Sequence, residues 1–274
     1  MRPFQQLAVD TKTRIRAAAT LYSTTSPRTA WRLQRMSRRP VIIGGCARSG
    51  TSLLLSILSC HPNIFGIAEE TVALCPDGYG ADGLYNKTPD LEVPLAIWKI
   101  YDNLLNKKIP ASCIRWCEKT PRNVLYFDRI LAYFGAQARL IHIVRDGRDV
   151  ITSRHPVDPS RFWTTPDRWV HDVAAGRAWE HHPQVHTLRY EDLLQSFEPT
   201  VHRLCEFLEE DFVTAFLEYP ASAKVKESIA WFDSAHQIST ASIGRWRKPE
   251  FAERVQALLS ERGALELLQH YGYA

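Results

Sequence analysis

Val41-Ile42-Ile43-Gly44-Gly45-Cys46-Ala47-Arg48-Ser49-Gly50-Thr51-Ser52 changes character three times within one short stretch. Val41–Ile43 is β-branched and predicts a strand, Gly44 and Gly45 close it, and Leu53, Leu54, Ile57 and Leu58 then recur at helical spacing. A strand, a glycine-rich turn and a helix start, in that order, form a cradle for an anion. The glycines let the backbone turn tightly, its amides point inward, and the helix start adds the positive end of its dipole. Ser49, Thr51 and Ser52 add hydroxyl donors around Gly50, and Arg48 adds a fixed charge with a planar fork.

The loop departs from that of nucleoside triphosphatases, which place Gly-Lys-Ser/Thr after four spacers. No Lys is present, and an Arg precedes the small residues. The groups that handle a triphosphate–metal complex are therefore not evident. A kinase or nucleotide hydrolase with an altered phosphate loop is the alternative reading, and it predicts Mg²⁺ dependence and ATP binding.

Working outward, short apolar runs alternate with helical patterns, which predicts an α/β fold: three layers, with a central parallel sheet flanked by helices. Asn63–Ile67 reads as a second strand running into Glu69-Glu70. Residues 113–118 read as a third, broken at Thr120-Pro121 and followed by a helix through Tyr126 to Phe134. Arg139–Val144 is the clearest buried strand and Val185–Arg189 another, followed by a helix holding Val201, Leu204, Cys205 and Leu208. Phe251 to His270 reads as one amphipathic helix. Residues 71–112, rich in Pro, Gly and Asp with one helical piece near Trp98, are expected to shape a substrate mouth.

A second anion site is expected where Arg139–Val144 ends in Arg145-Asp146-Gly147-Arg148-Asp149, because ligands of open α/β sheets bind beyond the carboxyl ends of strands. Arg145 is placed to clamp a phosphate, and Ser153, two helical turns on, to add a hydroxyl. Asp146, Arg148 and Asp149 read as a capping network for the helix that starts near Val150.

The 274 residues are 45% hydrophobic, 11% aromatic and 23% charged, enough for a sizeable core. The net charge of +4 is unevenly spread. Residues 1–40 hold nine Lys/Arg against Asp10 alone, a charge of +8, and the remaining 25 basic and 29 acidic residues leave −4. That distribution counts against a long-groove nucleic-acid binder. Residues 1–39 read as a basic helical extension before a domain over 40–274. The extension has the composition of a transit peptide, or of a basic helix on a membrane surface, a peripheral contact; a solvated helix is the plainer reading. It contains no secretory apolar region, and no segment approaches the ~20 apolar residues of a membrane span.

The six cysteines (46, 60, 75, 113, 117 and 205) form no disulfide framework. Cys113 and Cys117 on one strand would lie about 13 Å apart, beyond the ~7 Å reach of a bridge. No His or Cys cluster has zinc spacing, so no metal is expected. Reduced thiols in a cytoplasmic compartment follow. His61, in a Cys-His-Pro-Asn turn, is read as structural, and His142 as a satisfied core histidine. Trp163, Trp169 and Trp179 are read as core rather than as walls of an acceptor cleft.

Together the two anion sites resemble those of the sulfotransferases that use 3′-phosphoadenosine-5′-phosphosulfate (PAPS), whose fold is like that of the P-loop nucleoside triphosphatases. Arg48-Ser49-Gly50-Thr51-Ser52, then His61-Pro62, then Glu69-Glu70-Thr71 are similar to the tyrosylprotein and carbohydrate branch, with one extra residue before the acidic pair. Glu118-Lys119-Thr120-Pro121 sits where that branch has a lysine followed by proline. Arg189-Tyr190-Glu191-Asp192-Leu193 and Ser242-Ile243-Gly244-Arg245-Trp246-Arg247-Lys248 resemble later family segments that close over the nucleotide. The likeness spans roughly residues 40–250. It implies a donor, PAPS, and a product, adenosine 3′,5′-bisphosphate (PAP), with no metal. It places Arg48, Ser49, Gly50, Thr51 and Ser52 on the 5′-phosphosulfate, Arg145 and Ser153 on the 3′-phosphate, and Tyr190, Ser242 and Arg245 around the nucleotide. Glu70 becomes the expected base, with Glu69 its rival, and Arg48 and Lys119 the stabilisers of developing charge. The acceptor hydroxyl is left open between a glycan, a small metabolite and a peptide tyrosine. A non-catalytic binder that keeps the nucleotide pocket is the further rival.

Overall fold

The computed structural model describes residues 3–23, 25–79, 85, 88–155, 157–227, 235 and 237–274, and the side chains of these from residue 11 onward. Residues 1, 2 and 24 of the basic extension and 80–84, 86 and 87 of the irregular segment lie outside the described residues. The elements in chain order are α1 (Pro3–Ser23), α2 (Pro27–Met36), β1 (Val41–Gly44), α3 (Thr51–Leu58), β2 (Ile64–Gly66), α4 (Trp98–Leu105), β3 (Arg115–Lys119) and α5 (Phe127–Phe134). They continue with β4 (Arg139–Val144), α6 (Gly147–Ile151), α7 (Pro166–Arg177), β5 (Val185–Arg189), α8 (Tyr190–Gln195), α9 (Phe197–Leu208), α10 (Ala252–Leu259) and α11 (Ala264–His270).

The five strands pair in the order β2-β3-β1-β4-β5, every pairing parallel. β1 is central, with Ile42 opposite Glu118 on one side and Leu140 on the other. Its side chains alternate between faces. Ile42 joins Trp116 and Leu140 in a cluster under α4 and α5. Val41 and Ile43 join Cys117, Ile141 and Ile143 in the opposite one, under α3 and α9. A sheet covered on both faces explains why β1 and β4 read as unbroken apolar runs. A third cluster, with Val144, Val150, Ile151, Trp169, Leu258 and Leu268, seats α6, α7, α10 and α11 near the end of β4.

The basic N-terminal segment forms two helices. Ser26 caps α2 by accepting from the Thr29 amide, with Pro27 at its first position. Ala17 and Leu21 of α1 and Ala30, Leu33 and Met36 of α2 are buried in the first cluster. Lys12, Arg28, Trp31, Arg35 and Arg38 face outward. No helix among the described residues is long and apolar enough to cross a membrane.

The expected single helix over Phe251–His270 is two. Residues 249–251 form a short 3-10 turn, and α10 stops at Ser260, whose hydroxyl donates back to the Gln256 carbonyl. Gly263 then takes a φ of +84° before α11, so the break falls where a left-handed residue is easiest to accommodate. Likewise a 3-10 turn over Pro121–Tyr126 precedes α5, where one helix was expected through Tyr126.

Candidate active site

In the sheet's strand order the connections that leave the neighbouring strands β1 and β4 run in opposite directions, and their loops open side by side at the carboxyl edge. The loop after β1 is anchored at its start by the Gly45 amide, which donates to the Pro121 carbonyl at 2.9 Å. Arg48 and Gly50 both take left-handed backbone, φ +72° and +96°. At Gly50 this is a double requirement, since a Cβ there would also lie 2.4 Å from the Tyr190 ring. The chain then enters α3, whose first-turn amides have no intrahelical acceptor. Ala47, Arg48, Gly50, Thr51 and Ser52 line one cleft together with Glu70, Tyr79, Pro121, Arg145, Trp163 and Tyr190. Ser49 sits beneath, fully buried, its hydroxyl without a partner among the described residues.

Arg145 leaves β4 and reaches across to this loop. Its Nη1 donates to the Arg48 carbonyl at 3.1 Å and its Nη2 to the Ser242 carbonyl at 2.6 Å. Its guanidinium lies 4.4 Å over the Tyr190 ring. The Tyr190 hydroxyl in turn meets the Ser242 hydroxyl at 2.8 Å. Arg245 follows in the same segment and donates to the Ser153 hydroxyl at 3.2 Å, while that hydroxyl donates to the Asp149 carbonyl. Thus Arg48, Arg145, Ser153, Tyr190, Ser242 and Arg245 converge from four separate parts of the chain.

Three guanidiniums at close quarters repel. Burial, then Arg145 and Arg245, push the Arg48 guanidinium down to about 10, and burial with Arg145 also lowers Arg245. Among the described residues neither Arg145 nor Arg245 makes a carboxylate ion pair, and the buried Nε of each has no partner. Arg145 and Arg245, converging on Arg48 with no carboxylate ion pair of their own among the described residues and only the charge of Asp149 nearby, make a site for an anion.

On the other wall Lys119, buried at the end of β3, forms an ion pair with Glu70, which stays partly exposed to the cleft. Glu118 beside it points the opposite way and is fully buried. Its carboxylate accepts from the hydroxyls of Thr71 (2.9 Å) and Thr120 (2.6 Å) and from the Asn123 amide group (2.7 Å). Burial pushes its acidity down, raising the pKa against these donors. The sequence offers no sign of this hub, which pins residue 71 and so the approach of Glu70. Glu69 faces away, paired with Lys107 and accepting from Asn103 in a separate groove. Although desolvation raises it, the Lys107 hydrogen bond brings the Glu69 carboxyl below its usual range.

Other expectations fare differently. His61 is tied by its Nε2 to the Asp211 carbonyl and by its Nδ1 to the Asn63 amide, as a structural residue is. His142 is buried but not satisfied: neither ring nitrogen has a partner among the described residues, and burial pushes it down to about 4. Trp169 is core, with its Nε1 on the Arg145 carbonyl. Trp179 packs against the first cluster. Trp163, expected as core, instead lines the cleft, stacked on His155. Asp146 caps α6 and pairs with Arg148 as read from sequence. Asp149 does not cap. Its carboxylate accepts from the amides of Gly244 and Trp246.

Comparison with known proteins covers the same ground. The model of the sulfotransferase family matches residues 40–214. An uncharacterized protein of Aquifex aeolicus (strain VF5) is 27% identical over an alignment 241 positions long that covers 78% of this chain and 31% of that protein, so the chain spans about a third of this relative's length. Among solved structures, the sulfotransferase domain from the curacin biosynthetic pathway aligns with a TM-score of 0.54 at 18% identity, over 86% of this chain and 98% of that one. That of the Synechococcus PCC 7002 olefin synthase gives 0.52 at 20%, over 86% and 94%. A mouse sulfotransferase complexed with PAP gives 0.53 at 14%, over 88% and 93%. At such identities these likenesses concern the fold. The family match is of another kind, since its span takes in the loop after β1, the Lys119–Glu70 pair and the Arg145–Ser153 anchor, and by it the chain belongs to the sulfotransferase family.

Proposed function

We propose that the protein transfers a sulfuryl group from PAPS to an acceptor hydroxyl and releases PAP. The observation that carries this reading is the convergence of Arg48, Arg145 and Arg245 at the carboxyl edge of the sheet, with buried Nε atoms of Arg145 and Arg245 left unpartnered. The buried, unpartnered Ser49 hydroxyl and these guanidinium nitrogens fit a nucleotide with two separated anionic groups. Ser49, Gly50, Thr51, Ser52 and Arg48 would hold the 5′ end, and Arg145, Ser153, Tyr190, Ser242 and Arg245 the 3′-phosphate side. When bound, the donor supplies the activated sulfuryl group.

The chain's own work is positioning and charge stabilisation, as in phosphoryl transfer. Glu70, open to the cleft, accepts the proton of the acceptor hydroxyl. Arg48 and Lys119 hold the negative charge that develops on the transferring oxygens and on the leaving phosphate. The proton leaving for Glu70 neutralises the carboxylate facing Lys119 and so frees that ammonium to serve the developing charge. No residue assigned here depends on a divalent metal.

The acceptor is a glycan, a small hydroxylated metabolite or a tyrosine, entering over the Tyr79 and Trp163 side of the cleft. Six buried free cysteines suit a reducing, cytoplasmic setting. The outward basic face of α1 and α2, with Trp31 more than half exposed, is the surface for any peripheral membrane contact. The test is a transfer assay with radiolabelled PAPS and a panel of hydroxyl acceptors in EDTA. Transfer that falls ~10²–10⁴-fold in Glu70→Gln supports the reading. Transfer from ATP with Mg²⁺, and none from PAPS, replaces it with phosphoryl transfer.

A further inference from the structure

Asp149 is fully buried and stands third in the first turn of α6, where an acidic side chain normally serves the helix's own amides. Asp146 already does that work, accepting from the Arg148 amide at 2.9 Å. The Asp149 carboxylate turns away from its helix instead. Its Oδ2 accepts from the Gly244 amide at 2.7 Å and its Oδ1 from the Trp246 amide at 3.1 Å. Both oxygens are thus committed to a segment that lies almost a hundred positions later in the chain. That segment turns through Gly244, at φ +75°, into a short 3-10 turn over Arg245–Arg247.

The segment has much to hold it off. It carries Arg245 toward Arg145, two cations that repel, and its only apolar hold on a core cluster is the half-buried Ile243, packed beside Tyr190's cluster. What it delivers is the Ser242 carbonyl and hydroxyl, which meet Arg145 and Tyr190, and the Arg245 guanidinium, which meets Ser153. We propose that Asp149 is a positioning residue that latches residues 242–246 onto the Arg145 anchor, so that half of the anion site is assembled before any ligand arrives. The two amide bonds hold the turn while the negative charge offsets the Arg145–Arg245 repulsion. Preorganisation of this kind removes an ordering penalty from binding. The ligand named, PAP, rests on the function proposed above, but the latch itself does not.

The experiment has two arms on the full-length chain. Hydrogen exchange without nucleotide is followed over residues 240–248 and, as a folding control, over β4. Asp149→Ala speeds exchange at 240–248 at least tenfold and Asp149→Asn, which keeps one acceptor oxygen, less, with β4 unchanged in both. Calorimetry with PAP then shows affinity falling at least tenfold in Asp149→Ala and partly restored in Asp149→Asn; in transfer assays the donor KM rises while the acceptor KM stays fixed. If Asp149→Ala does not fold, Trp246→Pro removes one latch donor and Trp246→Ala controls for the indole, and the Pro variant alone then shows the faster exchange and weaker binding. Unchanged exchange at 240–248 overturns the latch. So does faster exchange with unchanged PAP affinity. Failure of the unsubstituted protein to bind PAP overturns the functional reading and leaves the exchange arm to judge the latch.

Discussion

Two arginine clusters flank the loop after β1, and they differ in whether a buried carboxylate pairs with the guanidiniums directly. On one side Arg48 and Arg145 line the cleft with Arg245 close beside them, and Arg145 and Arg245 have no ion pair among the described residues. On the other, Asp172 is fully buried between Arg122, at 2.7 Å, and Arg168, at 3.5 Å. Both of those guanidiniums also lie over the Tyr85 ring, at 4.2 and 4.9 Å, and Arg122 donates to the Gly78 carbonyl. The second cluster carries its own counter-charge and ties Gly78 and Tyr85 to α7. In the first, both oxygens of the nearby Asp149 are taken by backbone amides, so the guanidiniums are left to be completed from outside. Arginine count alone separates nothing here; the placement of an acid does.

This contrast can be broken in four ways. Asp172→Ala should be the heaviest blow, because it strands two buried cations: about 3–5 kcal/mol of unfolding free energy is expected to vanish in urea melts. An unchanged midpoint would remove the structural role. Arg145→Ala should weaken PAP binding at least tenfold, about 1.4 kcal/mol, while the urea midpoint of the free protein holds or rises as repulsion is relieved. A loss of stability comparable to that of Asp172→Ala would put the two clusters in the same class.

Smaller effects sharpen the picture. Since burial and its two neighbours bring Arg48 down to about 10, PAP affinity should fall about twofold by pH 10 and about tenfold by pH 11. The stability of the free protein moves the other way. Above about 10, and below its higher unfolded value, the unfolded chain binds the extra proton, so this group's contribution to stability increases with pH. Parallel loss of both would contradict the assignment. Smallest is salt: raising it from 0.05 to 0.5 M should weaken PAP binding a few-fold and leave the Asp172 cluster unmoved, because buried pairs are screened little.

The arginine side of the cleft was open to reading because local sequence makes it. β1 and β4 announce themselves as apolar runs buried on both faces, and each hands directly to a polar turn. Arg48 and Arg145 could be named for that reason alone. Tyr190, Ser242 and Arg245 were reached only by family likeness, for their place depends on Asp149 and on Gly50 leaving room for Tyr190. The choice between Glu69 and Glu70 was closed to sequence, since it turns on which one Lys119 meets and which Lys107 takes. Glu118, Asp172 and the cleft-facing Trp163 were missed or misread for the same cause: partners distant in the chain leave no local pattern. The break before α11 escaped because the apolar periodicity runs on across Ser260–Gly263.

The central claim is that Arg145 and Arg245, without carboxylate ion pairs among the described residues, bind the phosphates of a sulfuryl donor together with Arg48. Its most direct measurement is calorimetric titration of the protein with PAP in EDTA, beside ATP with Mg²⁺. Micromolar PAP binding, lost in Arg145→Ala and not matched by ATP, is the predicted result. No PAP binding, with ATP–Mg²⁺ bound in its place, would contradict it.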